Sequence, residues 1–329
     1  MQRAEIRAIA YSLPEQVVTN EMLVAENPTW DMRRVVTRTG VESRHIARPD
    51  ETAYDLAREA CDRLLAEHPE ARERIGAILF CTESGDHLLP PDSTMLQGYL
   101  ELDDDVFALD FNLACSGFVY GLALARSLIA GGIARDILLV TADTYSKYIH
   151  PQDRAARTLF GDGAAATWIA ASESERGLID VQCATGGKDH GMFIVPAGGC
   201  RLPRSPETAV PRTDLGGSIR SQENIYMDGS GILDFVEAKV PPQVRDVLER
   251  NDLTMDDMDL VVMHQASKVT LDALNRSLEI PPEKAFTNIR DIGNTVSASI
   301  PIALKDATDQ GRLQPGGLVL VSGFGVGMS

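Results

Sequence analysis

The 329-residue chain is short of positive charge, with 31 lysines and arginines against 48 aspartates and glutamates and a formal net charge of −17. Binding to a nucleic-acid backbone runs on clustered Lys and Arg, so nucleic acid is excluded as a partner. Docking to an acidic partner has to use a local basic patch. Paired cysteines are also lacking. Cys61, Cys81, Cys115, Cys183 and Cys200 are odd in number, widely scattered and form no CxxC, which argues against a disulfide framework or zinc site and fits a reducing cytoplasm. No segment approaches the roughly 18 uninterrupted apolar residues of a membrane span. The opening MQRAEIRAIAYSLPEQ alternates charge with short apolar pieces, so neither a signal peptide nor an anchor is expected, and no membrane partner.

What is present is the composition of a globular protein, 44% hydrophobic, and long enough for two domains or two fused halves. Residues 106–130, VFALDFNLACSGFVYGLALARSLIA, organise the rest. The apolar run before Cys115 suits a buried strand, and Phe118, Leu122, Ala125 and Ile129 recur at helical spacing after it. A thiol is thereby presented at a strand-to-helix hinge, where the positive end of a helix favours the thiolate. A free cysteine is more often a small buried hydrophobe, so a nucleophile needs partners elsewhere in the chain.

Around that hinge the spacing predicts strands at 6–11, 75–81 and 137–142, and a further one following the Gly-containing turn of LFGDGAAATWI at 159–169. Asn20 is expected to cap a short helix and Thr52 a longer one over 52–68. Residues 30–46 read as a mixed loop whose Arg33, Arg34, Arg38 and Arg44 face solvent. Residues 187–222, rich in Gly, Pro, Arg, Ser and Thr, read as a long loop, mobile or a lid. In the second half a helix over 231–251 has to break at Pro241-Pro242. A strand at 260–263, helices at 268–278 and 296–304 and a strand at 318–322 follow, so the two halves read as a duplicated α/β fold.

His264 stands directly after the strand LVVM, the placement that Cys115 has in the first half. Catalytic groups of α/β proteins gather at such strand ends, where loop backbones and helix N-termini converge. Asn294 follows Gly293 in DIGNTVSAS, and GFGVG at 323–327 offers N–H groups for a developing oxyanion. Singly these read as a core histidine, a cap and a turn. Together they form a Cys, His and Asn constellation at element boundaries.

ACSGF at 114–118, FGDGAAA at 160–166, HQAS at 264–267, GNTVSAS at 293–299, GFGVG, and TRTGVESRHIA at 37–47 resemble the β-ketoacyl-acyl carrier protein synthase III group of the thiolase superfamily. The motifs run in order over nearly the whole chain. The resemblance implies a five-layered αβαβα thiolase fold with pseudo-repeated halves over 1–174 and 175–329, and a cytoplasmic homodimer. It implies that Cys115 takes an acyl group from acyl-CoA or an acyl carrier protein, with no permanently bound cofactor. His264 and Asn294 then serve decarboxylative condensation with a malonyl thioester, and the N–H groups of Cys115 and Val326 hold the oxyanion. Asn294 and the short chain separate this group from the Cys-His-His elongating synthases and from chalcone-synthase-like enzymes. By the same correspondence Arg38 and Arg154 keep CoA contacts, Ser267 meets the pantetheine arm, and Leu89, Leu159, Phe160, Met227, Gly229 and Leu233 line the acyl and substrate pocket.

The chain departs from the group at several positions. Arg34 stands where a tryptophan is usual, Glu42 where an arginine is, Ser230 and Ser267 where asparagines are, and Asp234 and Val269 where carrier-docking cations are, with Arg276 retained and Lys268 adjacent. The 187–222 loop, which contains PAGGCRLPRSPET, is expanded, and a further strand is usual after Met328-Ser329. These departures suggest a specialised fatty-acid or polyketide-type pathway. The alternatives are an acyltransferase that passes the group on without decarboxylation, and an inactive thiolase-like scaffold subunit.

Overall fold

Apolar runs build the centre of the first sheet: IGAILFC is buried at six of seven positions and DILLVTAD at all eight. The computed structural model describes residues 3–174 and 176–329. The chain opens with β1 (Arg3–Ser12), β2 (Val17–Thr19), α1 (Asn20–Glu26), α2 (Met32–Thr39), β3 (Ser43–His45) and α3 (Ala53–Glu67). Then come β4 (Ile75–Cys81), α4 (Asp92–Tyr99), β5 (Phe107–Phe111), α5 (Gly117–Ala130), β6 (Asp136–Asp143), α6 (Arg154–Arg157) and β7 (Gly163–Ser172). Four short strands, β8 (Phe193–Ile194), β9 (Arg212–Thr213), β10 (Ile219–Arg220) and β11 (Tyr226–Met227), lead into α7 (Gly229–Glu249) and β12 (Leu260–Met263). The remainder is α8 (Lys268–Ser277), β13 (Ala285–Phe286), α9 (Ile289–Ile292), α10 (Ser299–Asp309) and β14 (Val319–Ser322).

The first sheet has the order β1-β7-β6-β4-β5, with β4 parallel to β5 and β6, and β7 antiparallel to its neighbours. The second has the order β13-β12-β14, all parallel. Between the sheets lie α5 and α10, whose Phe118, Leu122, Ile300 and Leu304 share one core with Leu79, Leu139 and Val262. Outside the first sheet α3 packs Leu56, Ala60 and Leu64 on Ile78, Phe80 and Val140. Outside the second, α7 and α8 pack Val240, Val244 and Leu274 on Val261 and Met263. Helix, sheet, helix, sheet, helix: these are the five layers expected of the thiolase fold. The division expected between residues 174 and 175 has one side outside the described residues.

Thr52 does cap α3, as one half of a capping box with Asp55. Asn20, expected to cap α1, is its first residue. Thr19 caps instead, and the Asn20 side chain turns inward to Val41 O at 2.9 Å and the Arg44 guanidinium at 2.7 Å. The expected loop over 30–46 contains α2, capped by Asp31 and ended by Gly40 at φ +75°, and β3. Arg33, Arg34 and Arg38 are exposed on α2, whereas Arg44 is fully buried, donating to Val18 O, Asn20 Oδ1 and Thr158 O. These acceptors are neutral oxygens, and burial lowers the guanidinium pKa to about 10.

Helix α7 runs unbroken through Pro241 and Pro242. Each proline deletes one backbone bond, but burial of Val236, Val240, Val244 and Leu248 along one face holds the helix together. The 187–222 segment is neither loose nor detached. Ala197 N donates to Gln222 O, Ile219 N to Gln152 O, and Arg220 pairs with Asp153 at 2.8 Å, while Phe193 enters the core beside Cys115. The strand before Cys115 is not buried either: β5 is a sheet edge, with Phe107 and Leu109 each 39% exposed.

Candidate active site

The parallel strands β4, β5 and β6 end at one edge of the first sheet. Cys115 follows β5, two residues before α5 begins. Close packing demands small residues here: a Cβ on Gly117 would lie 2.2 Å from Cys81 Sγ, which donates to Leu113 O at 2.9 Å. In the second sheet His264 directly follows β12, its N–H donating to Ser322 O at 2.8 Å. Asn294 is fixed by its backbone to the first half, with its N–H on Leu159 O at 2.9 Å and its carbonyl accepting from Gly161 at 3.0 Å. Gly293 at φ +73° makes that approach possible, since a Cβ there would strike Leu159 O at 2.9 Å.

The loop after β14 joins the two halves of the site. The Phe324 ring meets the His264 ring edge-on at 5.7 Å, and a Cβ on Gly325 would sit 2.7 Å from Cys115 Sγ. Only glycine lets the backbone pass so near the sulfur. The backbone N–H groups of Val326 and of Cys115 reach that sulfur and lower its pKa, but burial outweighs them and pushes the thiol up to about 12. The thiolate expected from the helix terminus is therefore not the resting state. A helix end acts as a partial charge, whereas loss of water at a 3% exposed sulfur penalises a full one.

His264 is buried, and burial drives its pKa down to about 3, so the ring is neutral. Its Nδ1 lies 2.7 Å from Ser299 Oγ. With that hydroxyl donating, the ring proton sits on Nε2, 3.4 Å from Asn294 Nδ2. Asn294 spends one amide hydrogen on Ala266 O at 3.3 Å, and its Oδ1 accepts from Val296 N at 2.9 Å. One amide N–H and the imidazole N–H are thus left as adjacent neutral donors for a single oxygen. Ser299 carried no sequence signal for this pairing, which joins residues 35 positions apart.

The other expected site residues scatter. Leu159 and Phe160 lie in the buried cluster around Cys115, Met227 and Val326 pack against it, and Tyr145, Phe193 and Ile225 belong to it without having been expected. From α7 it is Ile232 and Phe235 that reach this cluster rather than Leu233, which is half-buried outside it. A one-residue shift on a helix turns a side chain by about 100°, which an alignment by motif does not resolve. Leu89 is 82% exposed beside fully exposed Leu88 and does not line the cluster. Gly229 is exposed at the start of α7. Ser267 caps α8, accepting from Thr270 N at 3.3 Å, and Arg154 donates to Gly216 O at 2.9 Å. Arg38 is exposed on α2, which packs on α8, where Lys268 pairs with Asp272. Glu42 pairs with Arg290 at 2.8 Å. Among the described residues there is no group of three or more His, Cys, Asp or Glu arranged to hold a metal, and no helix long and apolar enough to cross a membrane.

Two family profiles match the chain: 3-oxoacyl-[acyl-carrier-protein (ACP)] synthase III over residues 109–187, and its C-terminal counterpart over 248–329. A β-ketoacyl-[acyl-carrier-protein] synthase III of Solibacter usitatus is 34% identical, the match covering 99% of this chain and 96% of that protein. A crystal structure of a 3-oxoacyl-(acyl-carrier-protein) synthase III superposes with a TM-score of 0.96 at 41% identity, covering 99% of this chain and 97% of the other. The priming β-ketosynthase of the R1128 polyketide pathway superposes at 0.86 with 28% identity, covering 99% and 94%. The two profiles together carry the cysteine, the histidine and the asparagine described above. The chain belongs to the β-ketoacyl-acyl carrier protein synthase III family.

Proposed function

We propose that the chain condenses an acyl thioester with a malonyl thioester through Cys115, His264 and Asn294. The carrying observation is that His264 Nε2 and Asn294 Nδ2 lie 3.4 Å apart across from a loop that touches Cys115, so that the Nε2–H tautomer, which a hydrogen bond from the Ser299 hydroxyl to Nδ1 selects, presents two neutral donors together. The Cys115 sulfur attacks the acyl carbon of acyl-CoA, the bond to CoA sulfur breaks, and the thiol proton leaves with CoA. The N–H groups of Cys115 and Val326 stabilise the oxyanion of that step. A malonyl thioester then loses CO₂, and its enolate oxygen is held by His264 and Asn294. The carbanion attacks the acyl carbon and expels the Cys115 thiolate, which takes a proton from water. The thioester itself carries the activation, so the reaction uses acyl-CoA as substrate and needs no resident cofactor.

Support for a carrier-borne malonyl group is local charge. Arg33, Arg34 and Arg38 are exposed on α2, which packs on α8, and Arg276 is exposed in the last turn of α8; these cations on an otherwise acidic protein suit the phosphates of CoA or of a phosphopantetheine arm. Support for a homodimer is the open edge: β5 presents Phe107 and Leu109, and the nearby loop presents Leu88 and Leu89. An exposed apolar strand edge pairs readily with a second copy. Sedimentation is expected to give twice the 35.7 kDa chain mass, and a single-chain mass would count against pairing at this edge.

With acyl-CoA and malonyl-acyl carrier protein, the purified protein is expected to release CO₂ and form a 3-oxoacyl product. Acylation of Cys115 without that product would transfer the reading to an acyltransferase acting on another nucleophile. A chain that never becomes acylated would be a scaffold.

A further inference from the structure

The three strand ends beside Cys115 also bring together polar groups that take no part in the condensation. Cys81 on β4 lies in register with Phe111 on β5 and Thr141 on β6. Glu83 stands two residues past β4, Cys115 four past β5, and Tyr145 two past β6. The Tyr145 hydroxyl donates to the Glu83 carboxylate, and Glu83 N donates to Asp143 Oδ1 at 2.9 Å. Asp143 accepts in turn from the Ser297 hydroxyl. Tyr145 is 3% exposed, and its ring packs on Phe160 at 5.4 Å and Phe193 at 6.1 Å, in one cluster with Cys115. Glu83 and Asp143 are close enough for their charges to push the Cys115 thiol up. An apolar lining beside the nucleophile is therefore backed on one side by a tyrosine-carboxylate pair.

That pair leaves one acceptor open to a ligand. Burial raises the Glu83 carboxyl, and Tyr145 supplies a donor to only one of its two oxygens. Among the described residues no cation pairs with it. A carboxylate offers about four acceptor sites. Glu83 is half-buried and its second oxygen is open to water; a ligand that covers this oxygen while bringing a donor replaces the water, whereas a ligand without one leaves the acceptor unpaired at a cost.

We propose that Glu83, positioned by Tyr145, selects acyl groups carrying a hydroxyl on the chain, accepting its hydrogen bond while Cys115 holds the acyl carbon. This rests on the acyl-transfer reading of Cys115, and it assigns the class of acyl donor: hydroxyacyl thioesters over plain alkyl ones of equal length. Both groups remain chemically unchanged in the loading step, which transfers the acyl carbon from CoA sulfur to Cys115 as above.

The test follows the covalent adduct by intact mass with 3-hydroxybutyryl-CoA, 4-hydroxybutyryl-CoA and butyryl-CoA supplied separately. One hydroxyacyl donor is expected to load roughly 10–100-fold faster than butyryl-CoA. Glu83→Leu is expected to erase that preference by slowing the hydroxyacyl donor and speeding butyryl-CoA. Glu83→Gln, which keeps the shape and an acceptor oxygen, is expected to retain most of it. Equal loading of all three donors by the unaltered protein overturns the assignment of Glu83, as does a Glu83→Leu variant that slows all three alike. Absence of any adduct with these donors and with acetyl-CoA would instead overturn acyl transfer to Cys115, and the selectivity with it.

Discussion

Cys115→Ala is expected to form no acyl adduct and to lose product formation by on the order of 10⁴-fold or more, as when a covalent nucleophile is removed. The argument is geometric. The sulfur sits where N–H groups of Val326 and Cys115 converge, and the backbone at Gly325 passes so near it that a Cβ would come within 2.7 Å. No other thiol has that setting: Cys81 Sγ donates to Leu113 O, Cys61 lies in the core outside the first sheet, and Cys183 and Cys200 are exposed. Loss of one sulfur costs little packing, so the variant should fold and its melting temperature serves as the control. Intact mass after incubation with acyl-CoA reads the result. An adduct of undiminished yield in Cys115→Ala would place the nucleophile elsewhere.

His264→Ala and Asn294→Ala are expected to divide the two half-reactions. Condensation should fall by roughly 10²–10³-fold for each, the usual loss when one donor to a developing oxyanion is removed. Loading of Cys115 should stay within about tenfold, since the oxyanion of that step is held by backbone N–H groups no side-chain substitution deletes. The asymmetry follows from charge. His264 is neutral down to about pH 3, so it acts as a hydrogen-bond donor and not as an imidazolium. The double variant should lose less than the product of the two single losses, because both donors serve one oxygen. Retained acylation shows that the variants are folded. Equal loss of both half-reactions would contradict the separation of roles.

Much of the site is legible in the amino-acid sequence. Cys115, His264 and Asn294 each stood at an element boundary beside glycine or at the end of an apolar run, and strand ends are where α/β folds gather chemistry. The strand expected over 75–81 has those bounds in the structure, because a continuous apolar run between polar stretches has few other solutions. The errors share one cause: they concern what lies opposite a residue. Hydropathy made the run before Cys115 a buried strand, yet β5 is an edge, and hydropathy carries no information about the number of neighbours a strand has. Four nearby arginines read alike, although three are exposed and Arg44 is enclosed by segments that meet only in the folded chain.

The same division holds at the site. The residue types of the reaction, their order and the family follow from local pattern: strand, turn, glycine, helix. Their state follows from what the folded chain puts around them. Desolvation leaves the Cys115 thiol protonated and the His264 ring neutral against what a helix end or a free imidazole would suggest. It also aims His264 and Asn294 as paired donors through Ser299 and Ala266, and sets Tyr145 and Glu83 beside the nucleophile. Burial and hydrogen bonding are properties of what surrounds an atom, and around Cys115 those surroundings come from residues as distant in the chain as Glu83 and Val326.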